Sequence, residues 1–147
     1  MTPGPREWTL GTHILRFEPP DLLWVTFRGP IRMPDARFAH SVHLELADAR
    51  PLIFVGDMKE VGSLDPEAGR YLSENIPSDW VVANIYVGAR LIHRAIAKGL
   101  ALASLLVEHR DKRAVEKIHH VATPAEALAL VARLRAEARQ EAPGPRP

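Results

Sequence analysis

The chain has 147 residues, 46% of them hydrophobic and 25% charged, with a formal net charge of +1. That length suits one compact domain around one core, and that balance excludes disordered, collagenous and strongly polyanion-binding classes. The absence of cysteine excludes disulfide frameworks, thiolate zinc sites and cysteine nucleophiles. No apolar leader follows Met1 and no long uncharged apolar run occurs, so the expected compartment is the cytoplasm.

Five of the thirteen prolines lie at the two ends, and residues 1–11 and 141–147 read as tails around a domain at 12–140. Residues 12–17 and 22–28 are rich in β-branched and aromatic side chains, with the turn-forming Pro19-Pro20-Asp21 between them, which predicts an opening hairpin. In residues 34–49 the apolar Phe38, Val42 and Leu46 recur every four positions behind Pro34, which predicts a helix. Leu52-Ile53-Phe54-Val55 is continuous and apolar, as a strand buried on both faces should be. An acidic loop at 57–65 then leads into a helix over 65–76, with Pro66 and Glu67 in its first turn and Pro77 beyond its end.

Residues 80–87 predict the next strand, closed by Gly88, and residues 89–107 predict a long amphipathic helix. Residues 115–121 carry enough polar side chains for an edge strand, in which the adjacent His119 and His120 face opposite ways. Thr123 and Glu126 form a capping box before a last helix that buries Ala127, Leu130, Val131 and Leu134. The order β-β-α-β-α-β-α-β-α predicts an α/β fold, a mostly parallel central sheet covered by helices. Residues 57–65 and 88–90 should meet at the carboxyl edge of that sheet, where function is sought in such folds.

No G-x-G-x-x-G follows a strand and no phosphate-binding P-loop occurs. His40 and His43 are spaced for one helix face, with Asp35 or Glu45 as a third donor, but histidines on such a face are usually solvated and the pattern predicts no metal site. Ser63 lies near Asp65 and Glu67 without the flanks of a nucleophile elbow, so a serine hydrolase is not expected. Asp57, Asp65 and Glu67 make an acidic rim that suits a helix start, or acid–base work if a pocket raised one pKa. Arg90 and Arg94 at a helix start suit an anion or a solvated basic face. Leu105 projects into the polar arc of the same predicted helix beside Arg94 and Lys98, the make-up of a small apolar contact with a charged rim. Trp24, Phe27, Phe54, Trp80 and Tyr86 fall in predicted strands and read as core, and no basic–aromatic platform for nucleic acid is present.

The order of elements and the run from Phe54 through Asp57, Ser63 and Asp65 to Ala68 resemble the STAS fold, and within it the SpoIIAA-like group of small bacterial proteins. Anti-sigma-factor antagonists of that family carry an Asp, a short hydrophobic turn, then Asp-Ser-Ser-Gly opening a helix, and Asp57 and Asp65 match the two aspartates. Pro66, Glu67 and Ala68 stand where the family has its phospho-acceptor serine and the two residues after it, which leaves Ser63 as the nearest hydroxyl. The resemblance implies a regulatory module without enzymatic activity or cofactor. Such a module would contact another protein or a second copy of itself, and the candidate contact residues are Asp57, Ser63, Asp65 and Glu67 of the acidic segment together with Arg90, Arg94, Lys98 and Leu105 of the predicted long helix. The group is also similar to a lipid-transfer architecture, which makes an apolar or anionic small ligand the alternative, and a small hydrolase or lyase using the acidic loop is a third reading.

Overall fold

A computed structural model describes residues 4–88 and 116–141. Six strands form one sheet in chain order: β1 (Arg6–Leu10), β2 (His13–Glu18), β3 (Leu22–Ile31), β4 (Leu52–Leu64), β5 (Val81–Val87) and β6 (Ile118–Val121). The first three are antiparallel neighbours, and β3 through β6 run parallel. Among the described residues three helices accompany them, α1 (Met33–Ala47), α2 (Pro66–Asn75) and α3 (Pro124–Glu141), with a single 3-10 turn at Ser78–Trp80 before β5. This is a single α/β domain on a mixed, mostly parallel sheet.

The period-2 pattern of the strands divides the core between the two sheet faces. Leu15, Phe17, Leu23, Val25, Phe27 and Leu52 point to one face, where Val42 and Leu46 of α1 close over them and Phe38 packs at the margin. Leu22, Ile53, Val55, Ala83, Ile85 and Val87 point to the other, beneath Ala127, Leu130 and Val131 of α3, with Leu134 half-buried beside them. The apolar spacing read from the sequence is therefore the spacing that packs. Asp21 and Arg135 tie the β2–β3 turn to α3 through two hydrogen bonds, at 3.0 and 2.6 Å to one carboxylate oxygen.

Two regions depart from the sequence reading. Arg6–Leu10, expected in the N-terminal tail, is the edge strand β1, because Trp8 supplies an apolar side chain that packs at the rim of the α1-covered core. Residues 57–65, expected as a loop, are mostly strand, since β4 runs to Leu64 beside an equally prolonged β3. Two register shifts place extra β4 residues against β3, so the inward-facing Met58, Val61 and Leu64 recur every third position instead of every second. That spacing disguises a strand as a loop. The predicted helix at 89–107 lies outside the described residues.

The ends of the elements follow local chemistry. Asp65 Oδ1 accepts the Glu67 N–H at 3.0 Å as the cap of α2, with Pro66 in the first turn. Thr123 Oγ1 accepts the Glu126 N–H at 3.2 Å, and the Glu126 carboxylate reaches one residue further back than a capping box requires, to the Ala122 N–H at 2.8 Å. Lys117 Nζ donates to the Ser78 and Val81 carbonyls at 2.6 and 2.8 Å, which fastens the start of β6 to the start of β5.

Candidate functional site

The carboxyl edge of the parallel strands is built first by β4. Asp57 is the last β4 residue paired with β5, opposite Val87. Its Oδ1 accepts the Lys59 N–H at 3.1 Å, and its Oδ2 lies 3.9 Å from Lys59 Nζ. The Lys59 stem crosses Gly88, which has φ +66°, and a Cβ at Gly88 would overlap Lys59 Cγ. The expected meeting of the β4 end with Gly88 is thus present for Asp57 and Lys59.

Past Asp57, β4 runs beyond its pairing with β5 and, among the described residues, continues paired with β3. Glu60 is opposite Arg28 and forms an exposed ion pair with it at 2.9 Å. Ser63 stands exposed on the strand, Asp65 donates its N–H to the Ile31 carbonyl at 3.0 Å as it enters α2, and Glu67 is exposed in the first turn. At about 3.3 Å per residue this strand holds Asp57 and Asp65 on the order of 20 Å apart. The two carboxylates therefore form no acid–base pair, and the segment between them, expected as a loop, is a bulged strand. Among the described residues no histidine is hydrogen-bonded to Ser63. Arg90, Arg94, Lys98 and Leu105 fall outside the described residues.

The opposite, amino edge of the parallel strands holds a cluster of rings that sequence reasoning passed over. His40 and His43, expected on a solvated face of α1, instead meet Trp80 ahead of β5. His40 stacks on the indole with centroids 6.2 Å apart and planes 13° from parallel, and His43 is tilted against it at 6.1 Å. Tyr71 of α2 completes the cluster edge-on to His40, its hydroxyl 3.4 Å from His40 Nδ1. His43 is buried, and its Nε2 has no hydrogen-bond partner. Burial pulls its pKa from 6.5 down to about 4, opposed by a hydrogen bond to the Trp80 backbone and assisted slightly by the neighbouring His40. This ring is neutral at physiological pH. The i, i+3 histidine spacing could have been read as one half of an aromatic contact, but the residue that completes it lies 37 positions on.

His13 is the other buried histidine. Arg28 donates its backbone N–H to Nδ1 at 3.0 Å, so the ring proton sits on Nε2, which faces the Pro30 carbonyl at 3.1 Å and the Asp35 carboxylate at 3.6 Å. This ring locks the β2 start to the prolonged β3 and to the first turn of α1. His119 and His120 face opposite sides of β6, as expected: His120 stacks on Tyr86 at 5.7 Å, and His119 has its pKa lowered by burial and by Arg133 of α3, with Glu137 opposing. Burial also raises the Tyr86 phenol pKa. Among the described residues no three His, Asp or Glu side chains converge on a metal position, and no helix is long and apolar enough to cross a membrane.

The arrangement is that of an α/β domain whose polar segment at 57–67 is displayed on a strand and helix cap, with the unpartnered ring nitrogen of His43 buried at the opposite edge. No family model matches the chain, and no curated protein is similar to it in sequence.

Proposed function

We propose that the chain is a STAS-like, SpoIIAA-like regulatory module that acts by binding another protein rather than by catalysis, and that residues 57–67 form its contact face. The overhang of β4 beyond β5 carries this reading. It displays Lys59, Glu60 and Ser63 on an exposed strand continuous with the Asp65 cap and Glu67, a polar surface of both charge signs supported beneath by Met58 and Val61. Asp65 opening α2 agrees with the family pattern, while Pro66 at its first position removes the hydroxyl that a kinase would need. Asp57 and Asp65 are each engaged by a backbone N–H, which suits a structural role for both.

A photo-crosslinking amino acid at Ser63, in the protein expressed in its native cells, tests this directly. One discrete crosslinked protein is expected, absent when the same probe is placed at exposed Arg139 on α3. Identical patterns from the two positions, or a co-purified small molecule seen by native mass spectrometry with no crosslinked protein, would overturn the reading in favour of a ligand carrier.

A further inference from the structure

We infer that the outer edge of β1 pairs with the same edge of a second copy of this chain, in antiparallel register about Trp8. The inference is independent of the contact face at 57–67, which lies on other strands.

Leu10 and His13 are joined by the two-residue turn Gly11-Thr12, and Gly11 has φ +59°, as the first central residue of a tight hairpin turn requires. The closing pair of such a hairpin is hydrogen-bonded, and the pairs alternate from it. Leu10, Trp8 and Arg6 therefore turn their peptide groups inward to His13, Leu15 and Phe17, while Thr9 and Glu7 turn theirs outward. Position 5, the next outward one, is proline and has no N–H to offer.

Charged side chains commonly guard such an edge, but Arg6 is drawn back onto its own molecule. Its guanidinium lies 4.6 Å from the centre of the Trp8 ring and its Nη1 is 2.6 Å from Glu45 of α1. Glu7 is the remaining charge on the strand, and it faces Arg16 of β2 across the pair.

These constraints select one register. Pairing about Glu7 would set two carboxylates opposite one another and place Pro5 against Thr9. Pairing about Thr9 would need the turn residue Gly11 to act as strand. Pairing about Trp8 sets Glu7 of each copy against Thr9 of the other, so that every outward N–H and C=O in the extended part of β1 is used, and it brings the two Trp8 side chains together as a directly opposed pair. That register is self-complementary, so a second copy satisfies this edge without an unmatched group, and the product is a continuous sheet through two molecules.

Sedimentation velocity over a wide concentration range should show a reversible dimer. Thr9→Pro removes an outward N–H that β2 does not use, so it should abolish the dimer and leave circular dichroism unchanged. Should Thr9→Pro not fold, Trp8→Cys decides instead. In a chain otherwise free of cysteine it should form an intermolecular disulfide under mild oxidation, because directly opposed residues of this type of pair bring their Cα atoms within disulfide range, whereas Glu7→Cys should not. A wild type that stays monomeric throughout, a dimer that survives in folded Thr9→Pro, or equal crosslinking at positions 7 and 8 overturns the inference.

Discussion

The two ends of the parallel strands differ in almost everything but their shared sheet. At the amino end, His43, His40, Tyr71 and Trp80 fill the space between α1, α2 and the start of β5, and one ring nitrogen is buried without a partner. At the carboxyl end, Asp57, Ser63, Asp65 and Glu67 lie along a bulged strand and a helix cap, with each carboxylate in a local hydrogen bond or in water. Polar residues buried in the first place tune stability, whereas in the second Asp57 and Asp65 hold local backbone and the exposed Ser63 and Glu67 remain available for contact. The histidines are thus part of the scaffold, and the acidic segment is the surface.

The largest expected effect of this contrast is on acid stability. Burial depresses the folded-state pKa of His43 from 6.5 to about 4, so the unfolded chain takes up the proton first as pH falls. Stability from this group is complete above 6.5 and is lost progressively down to 4, by about 3 kcal/mol, below which both states are protonated. Urea unfolding of wild type and His43→Leu across that window isolates the effect, since the difference between the two cancels the groups they share. Parallel pH profiles for the two would place the ring in contact with water.

A smaller loss is expected at Gly88, where the left-handed backbone and the Lys59 stem meet. Gly88→Ala should cost about 1–3 kcal/mol, most of it backbone strain, because the flexible lysine can move aside. The double variant with Lys59→Ala separates the two causes by thermal melting: recovery should be slight. Asp65→Ala should cost about 1 kcal/mol through loss of the α2 cap, with Asp65→Asn close to wild type. Equal losses for Ala and Asn would mean that the negative charge, and not the accepted N–H bond, supports the helix start.

The sequence makes the interior of this fold legible and its carboxyl edge much less so. Phe38, Val42 and Leu46 announce α1 by their spacing, Leu52 to Val55 announce a doubly buried strand, and both pack as that spacing demands. Residues 57–64 do not announce a strand, because two register shifts turn the inward positions Met58, Val61 and Leu64 into a period of three that neither helix nor strand templates match. Arg6–Leu10 is illegible for a different reason: five residues with one tryptophan behind Arg6 and Glu7 become a strand only because β2 offers an edge. The ring cluster at His43 depends on Trp80, whose position beside α1 is set by the whole β4–α2–β5 connection and by no local pattern. In each case the missing information is tertiary.

The smallest expected effect is also the sharpest test of the exposed end. Ser63 is exposed on β4, between Gly62 and the half-buried Leu64, and its side chain supports no packing. Surface substitutions of this kind usually change stability by less than about 0.5 kcal/mol. Ser63→Arg adds a long cation to the centre of the proposed contact face without touching the buried Met58 and Val61 beneath it. A midpoint of urea unfolding equal to wild type, together with loss of the protein crosslinked from a neighbouring probe at Glu60, is the outcome that a display surface requires. If capture from Glu60 persists at full yield, the overhang of β4 is stabilising architecture only. If instead stability falls by more than about 1 kcal/mol, Ser63 belongs to the packed part of the sheet, and the division between the two ends of the strands lies further along the chain than Asp57.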